Sequence, residues 1–470
     1  MNDTKHDGRD SELDRLVESV LGSYEAGPRS MHHIGAYELP QQSEINECIE
    51  TLRALLRFDT TNPPGNETAA AELLREYLEA AGVECELFAR VPERANLVAR
   101  IRGTGDGPSL ALLSHTDVVV ADPAEWQREP FGGELVDGEV WGRGALDMKG
   151  EVAASAVALA TLAREGWRGA GDLIFVAAAD EEVGAGFGVE WLVEAHPDAV
   201  RSDFAVNEGG GERGEIGGKT VYLCAVAEKM TSPFELRVHG RSGHASMPGI
   251  ADNALVKAAA LIDRLAGFSP EPRLIPEVEA FFTALTGSVP SVGEAMAAAR
   301  ALGPLAGELL DPLFVPTATP TMIRASEKRN VIPALCTVAI DCRILPGQTS
   351  EEAEGLIREV LGPGDYDLVS VDPRGGTRSP TDGPLWDAVE SFIADEEPGA
   401  VAVPICVAGF TDSHWVREAF GTVAYGFFPS RDMAPEVAAR LIHSADERVP
   451  VGDLELGVRW LRHVARAICG

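Results

Sequence analysis

No stretch of this 470-residue chain approaches the ~20 consecutive apolar residues that a membrane-spanning helix needs, so no such helix is expected. Cysteine is sparse and poorly spaced for chemistry. Cys48, Cys85, Cys224, Cys336, Cys342, Cys406 and Cys469 are odd in number and never fall as C-x-x-C. That argues against a thioredoxin-like motif, a disulfide scaffold and a thiolate zinc site. Positive charge is short as well: 40 Lys and Arg against 74 Asp and Glu leave a formal net charge of −34. A surface so acidic repels phosphate backbones and anionic lipid, so neither nucleic acid nor membrane is expected as a partner. The opening segment MNDTKHDGRDSELDR is charged and lacks the apolar core of a secretory signal, which points to a cytoplasmic protein.

Several catalytic signatures are missing too. There is no G-x-S-x-G elbow and no H-E-x-x-H, so a serine hydrolase and a zincin are unsupported. The segment GEIGGKT ends like a phosphate-binding loop, but Arg213 stands where that loop needs glycine. The next residues, VYLCAVA, read as a strand where the loop requires a helix.

What the chain does have is a hydrophobic fraction of 45%, ordinary for a globular protein and enough for more than one core. Residues 1–40 read as a polar extension with one helical stretch, SELDRLVESVLGSY. From Asn46 helical spacing sets in, breaks at TTNPPGNE and resumes. Short apolar runs NLVARI, SLALLSH, DLIFVAAA and DFAVNE then alternate with helices, among them EVAASAVALATLAREG, apolar almost all round. Such alternation predicts an α/β layer on a mostly parallel sheet flanked by helices. Near residue 228 the pattern changes to FELRVHG, a helix, TPTMIRAS, ALCTVAIDCRIL, a helix and DYDLVSVD, in the order βαββαβ of a ferredoxin-like unit. Between its first helix and second strand lies a Pro- and Ala-rich insertion, about 269–319. The α/β pattern returns near 378. The expected division is therefore 41–227 and 378–470 as one domain, with 228–377 inserted into it.

Four units of the larger domain carry their acids and imidazole just past a strand or before a helix. SLALLSHTD gives His115 and Asp117, VWGRGALDMKG gives Asp147, DLIFVAAADEEVG gives Glu181 and Glu182, and DFAVNEGG gives Glu208. Ligands of open α/β sheets bind off the carboxyl ends of strands, so these residues are expected at one rim. Carboxylates crowded together repel, and a bound cation relieves that. Residues i and i+2 of a strand point the same way, which lets Asp117 hold the second imidazole nitrogen of His115; the spacing also fits a polar strand end without a partner. Of the neighbours Glu181 and Glu182, one can hold metal while the other faces water as a general base. Spacing does not decide which, and an acidic helix N-terminus fits the pair as well.

SHTDVV, GRGALDMKG, DEEVG, NEGG and the late His443 in LIHSADERV resemble the zinc metallopeptidase and amidohydrolase family of carboxypeptidase G, aminoacylase, acetylornithine deacetylase and succinyl-diaminopimelate desuccinylase. EWQREPFGGELVDGEVWGRG is similar to its carboxypeptidase S and N-acyl-amino-acid hydrolase branch. The resemblance runs from about residue 45 to the end. It implies two zinc ions per chain, with cobalt or manganese as substitutes, bridged by Asp147. Glu182 and His443 complete one site, and His115 and Glu208 the other. It further implies Glu181 as the base, Asp117 as the partner of His115, a cis peptide from Asp147 to Met148, and 228–377 as a lid that forms a homodimer. His244 in RSGHASMPG then reaches across the dimer to the oxyanion, and Asn330 and Arg343 hold substrate polar groups. As residues alone, His244 reads as a turn histidine, and the other two fit strand-end residues as well. AGFTDSH departs from the family pattern at Phe410 and His414, which leaves His414 as a rival to His443, and Ser444 stands where glycine is common.

The expected reaction is hydrolysis of an amide next to an amino acid with a free carboxylate, on a small peptide or an N-acyl amino acid. The two versions are a carboxypeptidase-like peptidase and an N-acyl-amino-acid deacylase. An inactive metal- or peptide-binding relative is the reading from a different class.

Overall fold

The computed structural model describes residues 38–216, 218–301, 310–372 and 374–470. The helix expected at SELDRLVESVLGSY lies outside them. The first described helix, Glu38–Leu56, starts ahead of the Asn46 expected from its periodicity.

Two sheets organise the chain. The larger is built on strands β1 Glu84–Ala89, β2 Ala95–Ile101, β3 Leu110–His115, β4 Leu173–Ala178, β5 Phe204–Asn207 and β6 Lys219–Glu228. The smaller contains β7 Phe234–His239, β8 Thr317–Arg324, β9 Leu335–Ile344 and β10 Tyr366–Ser370. The chain then returns to the larger sheet with β11 Val401–Val407 and β12 Val423–Gly426. The order in the large sheet is β1-β2-β4-β3-β5-β12-β6-β11, with Arg213–Ile216 added beside β6.

The expectation of a mostly parallel sheet holds at its centre. β4, β3, β5 and β12 run parallel, while β1, β2 and the β6–β12 contact are antiparallel. Central strands covered on both faces read as unbroken apolar runs, and β3 and β4 are buried at every residue. Helix Lys149–Arg164 explains that cover: its first fourteen residues are all buried, so it is pressed into the core. The C-terminal helix Val451–Cys469 packs against it, and both contribute to the main apolar core.

In the small sheet the order is β8-β9-β7-β10, all antiparallel, as a βαββαβ chain path requires. The helices Ala254–Leu265 and Ser350–Leu361 bury one stripe each in a separate core. The insertion is more ordered than its composition suggests. Its helices Pro276–Thr286 and Val292–Ala301 bring Ile275, Phe282 and Ala299 against Ala227 of β6, Cys406 of β11 and Leu345 just past β9. That apolar cluster joins the two sheets. All seven cysteines are free thiols.

Candidate active site

Because β3, β4 and β5 are parallel, their carboxyl ends share one edge, and the segments leaving them converge there. His115 is the last residue of β3, and Glu181 and Glu182 form a tight turn after β4. Glu208 follows β5, and Asp147 precedes helix Lys149–Arg164 across a cis peptide to Met148. His443 comes from a loop near the C-terminus, in left-handed backbone with φ +61°.

Asp147 sits at the centre. Its Oδ1 lies 3.1 Å from His115 Nε2, and its Oδ2 lies 3.0 Å from His443 Nε2. Glu182 Oε2 approaches His443 Nε2 at 3.3 Å, and Glu208 Oε1 approaches His115 Nε2 at 3.7 Å. Two groups of potential ligand atoms, His115–Asp147–Glu182 and His115–Glu181–Glu208, each lie within 4.8 Å of one another. Among the described residues no lysine or arginine pairs with Asp147, Glu181, Glu182 or Glu208, and Glu182 Oε1 is buried without a hydrogen-bond partner.

In that field the site gathers protons. Burial disfavours a charged His115, but Glu208, Asp117 and Asp147 outweigh it and hold its pKa well above the ordinary value. Hydrogen bonds to Asp147 and then Glu182 push His443 up to about 10. Burial and then Asp147 raise Glu208 to about 7. Burial, then Glu208, raise Glu181 well above the usual carboxylate range. For Asp147, burial is overcome by His115 and His443, which hold its carboxyl well below that range. Divalent cations satisfy the same field by displacing these protons. Imidazole and carboxylate donors suit zinc and its near neighbours, so the residues present fit a metal centre.

A surrounding set of hydrogen bonds fixes the donors. His115 Nδ1 lies 3.0 Å from the main-chain oxygen of Asp117 and 3.4 Å from its Oδ1. The backbone oxygen is therefore the nearer partner, where the sequence pointed to the carboxylate. A carbonyl only accepts, so Nδ1 carries the proton and Nε2 is left facing Asp147. The Asp117 carboxylate also accepts the backbone N–H groups of Glu181 and Glu182, each at 3.2 Å, and Asn62 Nδ2 at 2.8 Å. Asn62 donates further to Asp180, which also accepts from Arg94 in a buried ion pair and from the backbone N–H of Phe187.

Sequence reasoning missed three groups here. Glu447 is fully buried and accepts the N–H groups of Gly144, Leu146 and Asp147 at 2.9, 2.8 and 3.0 Å. Glu228 accepts the N–H and hydroxyl of Thr411 and so sets the turn before Asp412. Asp412 is buried with both oxygens unpartnered, and burial, with Glu208 among the acids around it, raises its pKa well above the ordinary value. The Thr-Asp pair was visible in AGFTDSH, but nothing in that string separates Asp412 from His414.

His414 does not join the cluster. It packs among Phe410 and Trp415, with Glu418 Oε2 3.2 Å away. His244, Asn330 and Arg343 also lie apart, around the small sheet. His244 is exposed on a two-residue ladder opposite Val331, next to Asn330. Its Nδ1 accepts from the backbone N–H of Ser246 at 3.2 Å and lies 2.7 Å from the Ser246 hydroxyl, so Nε2 carries the proton. Arg343 is held by Asp341 on its own strand.

The chain is similar to known proteins in sequence and in fold. A succinyl-diaminopimelate desuccinylase of Xanthobacter autotrophicus is 29% identical over 425 residues, covering 85% of this chain and 94% of that relative. One of Cereibacter sphaeroides is 28% identical over 419 residues, covering 85% and 93%. In structure the chain resembles an M20 family metallo-carboxypeptidase of Sulfolobus solfataricus, with TM-score 0.68, 18% identity and coverage of 90% and 99%. It also resembles human carnosine dipeptidase 1, with TM-score 0.61, 16% identity and coverage of 91% and 98%. Residues 111–467 match the model of peptidase family M20/M25/M40; the chain belongs to that family and is a metallohydrolase of peptide-like amide C–N bonds.

Proposed function

We propose that this enzyme uses two zinc ions to hydrolyse the amide bond next to an amino acid with a free carboxylate. The observation that carries the reading is the position of Asp147, with one carboxylate oxygen toward His115 and the other toward His443. In this reading Asp147, His443 and Glu182 would hold one ion, and Asp147, His115 and Glu208 the other; cobalt or manganese fit the same donors. When bound, such a pair polarises the scissile carbonyl and makes water acidic enough to attack near neutral pH.

Glu181 is the general base. It takes one proton from the attacking water as the new C–O bond forms, and delivers it to the leaving nitrogen as the C–N bond breaks. Asp117 acts through others: it orients His115 and fixes the backbone of the Glu181–Glu182 turn. Residues 228–377 serve as a lid, with 41–227 and 378–470 forming the catalytic domain. His244 is the oxyanion donor, supported by its free Nε2–H, and Asn330 and Arg343 bind substrate polar groups.

A homodimer through the lid is supported by the apolar surface near His244. Met247, Ile250 and Val331 are exposed on the His244 loop and the strand paired with it, Met322 and Ile323 are exposed on β8, and among the described residues β8 leaves one edge of its sheet unpaired. Among the described residues no helix is long and apolar enough to cross a membrane, which fits the proposed cytoplasmic location.

A second reading, N-acyl-amino-acid deacylase, is favoured by relatives named for desuccinylation. Metal analysis with a hydrolysis screen tests both. About two zinc ions per chain and turnover of dipeptides support the peptidase; turnover confined to N-acetyl, N-succinyl or longer N-acyl amino acids supports the deacylase. A metal-free protein inactive on every amide after zinc addition rejects both.

A further inference from the structure

A cavity of about 140 Å³ opens beside Asp147 and Glu208. That is several times the volume one water needs. Phe428, Met433 and Ile442 give it apolar walls, and Glu151 and Glu212 give it carboxylates.

Glu151 is only 4% exposed. It lies in the first turn of helix Lys149–Arg164, four residues beyond Asp147, and among the described residues it has no hydrogen-bond or ion-pair partner. It lines the cavity. Oε2 of Glu212, in the same lining, is shut off from solvent and without a partner. The proposed metal centre uses the charge of Asp147 and Glu208. It leaves Glu151, and Oε2 of Glu212, without a donor among the described residues.

A buried carboxylate with no donor is costly, and a cation carrying N–H groups removes the cost. The cavity's other walls restrict what that cation is. Apolar side chains suit methylenes and disfavour a bare hydrated ion, whereas an alkylammonium offers methylenes to the walls and three donors to the acids. We propose that this cavity is a specificity pocket for a substrate side chain ending in an ammonium, with Glu151 and Glu212 as its acceptors. The inference rests on the amide-hydrolase reading, because the cavity matters to substrate choice only if substrate binds at Asp147 and Glu208.

Lysine and norleucine differ chiefly in the terminal ammonium. They are the amino-acid products of Nα-acetyl-lysine and Nα-acetyl-norleucine, and of lysyl-alanine and norleucyl-alanine. Their calorimetric binding to the zinc-loaded enzyme therefore reports on the pocket whichever side of the amide carries the amine, and needs no turnover. The expected result is at least about tenfold tighter binding of lysine, falling to within about threefold in Glu151→Gln or Glu212→Gln. Equal binding of the two ligands by the unmodified enzyme would overturn the proposal, and so would an undiminished lysine preference in both variants. A potassium chloride arm covers the inorganic alternative: potassium that raises the melting temperature as lysine does and abolishes the lysine preference makes the cavity an inorganic cation site and also overturns it. A lysine preference with no hydrolysis of any basic or neutral amide upholds the pocket while sinking the hydrolase reading.

Discussion

Glu447 accepts the backbone N–H of Asp147 at 3.0 Å, while lying on the same C-terminal loop as His443. One carboxylate thus ties the segment bearing the central acid to the segment bearing the late histidine, across some three hundred residues of chain. Arg143 supplies its counter-charge from 2.5 Å. Such supporting contacts govern how well donors are aimed. In Glu447→Gln one oxygen is replaced by an NH₂ that faces N–H donors. Metal affinity is expected to fall ~10–100-fold, read by competition with a chelator. Unchanged affinity removes Glu447 from the support of the site.

Glu181→Gln separates base from ligand. Loss of a general base lowers kcat ~10²–10⁴-fold while both ions stay bound. Metal content measured beside kcat decides the matter: loss of an ion together with activity would make Glu181 a ligand, and full activity would end its role as base.

His414 offers a pH test away from the metal cluster. Burial, then the nearby Arg374 and Arg417, lower its pKa from 6.5 to about 4. Above pH 6.5 it is neutral in the folded and unfolded chain alike, so its contribution is fully present. As pH falls from 6.5 toward 4, the unfolded chain takes up a proton that the folded chain refuses, and stability is lost. The loss amounts to about 2 kcal/mol by pH 5. In His414→Phe the decline in urea-unfolding free energy from pH 7 to pH 5 is expected to be shallower by about that much. Parallel curves for the two proteins would refute the shift.

The exposed surface of the small sheet makes a coupled prediction. Ile323 is 49% exposed on the edge strand β8, so Ile323→Arg is expected to turn a sedimenting dimer into a monomer. If His244 acts across that interface, the monomer loses ~10²–10³-fold in kcat, as His244→Ala does in the dimer, with metal content unchanged in both. A fully active monomer would place His244 outside the reaction.

Much of this was legible in the sequence for physical reasons. A helix as apolar as Lys149–Arg164 is beyond its first turn has to be buried, and β3 and β4 read as central strands because each opens on an unbroken apolar run. His115, Asp147, Glu182 and Glu208 stood out because each follows an apolar run or opens a helix, where a parallel sheet collects its ends. The supports did not stand out. Asn62 comes from a proline-rich break with no periodicity, yet it joins Asp117 to Asp180. Glu447 binds backbone N–H groups, which carry no residue-type signal at the far end. His414 was ambiguous because a string cannot say which way a ring turns, and here it turns toward Phe410 and Trp415.

The helical insertion that joins the sheets has a mechanical consequence. Ile275, Phe282 and Phe314 are wedged where β6, β11 and the end of β9 meet. Swinging the smaller sheet wide of the larger one would strip these side chains of their neighbours, at ~1.5–3 kcal/mol for each one wetted. Substrate admission is therefore expected to proceed by a limited pivot about this wedge, with the far end of the small sheet travelling most. A covalent clamp placed beside the wedge should leave turnover intact, whereas one tying the far end of the small sheet to the large one should arrest it.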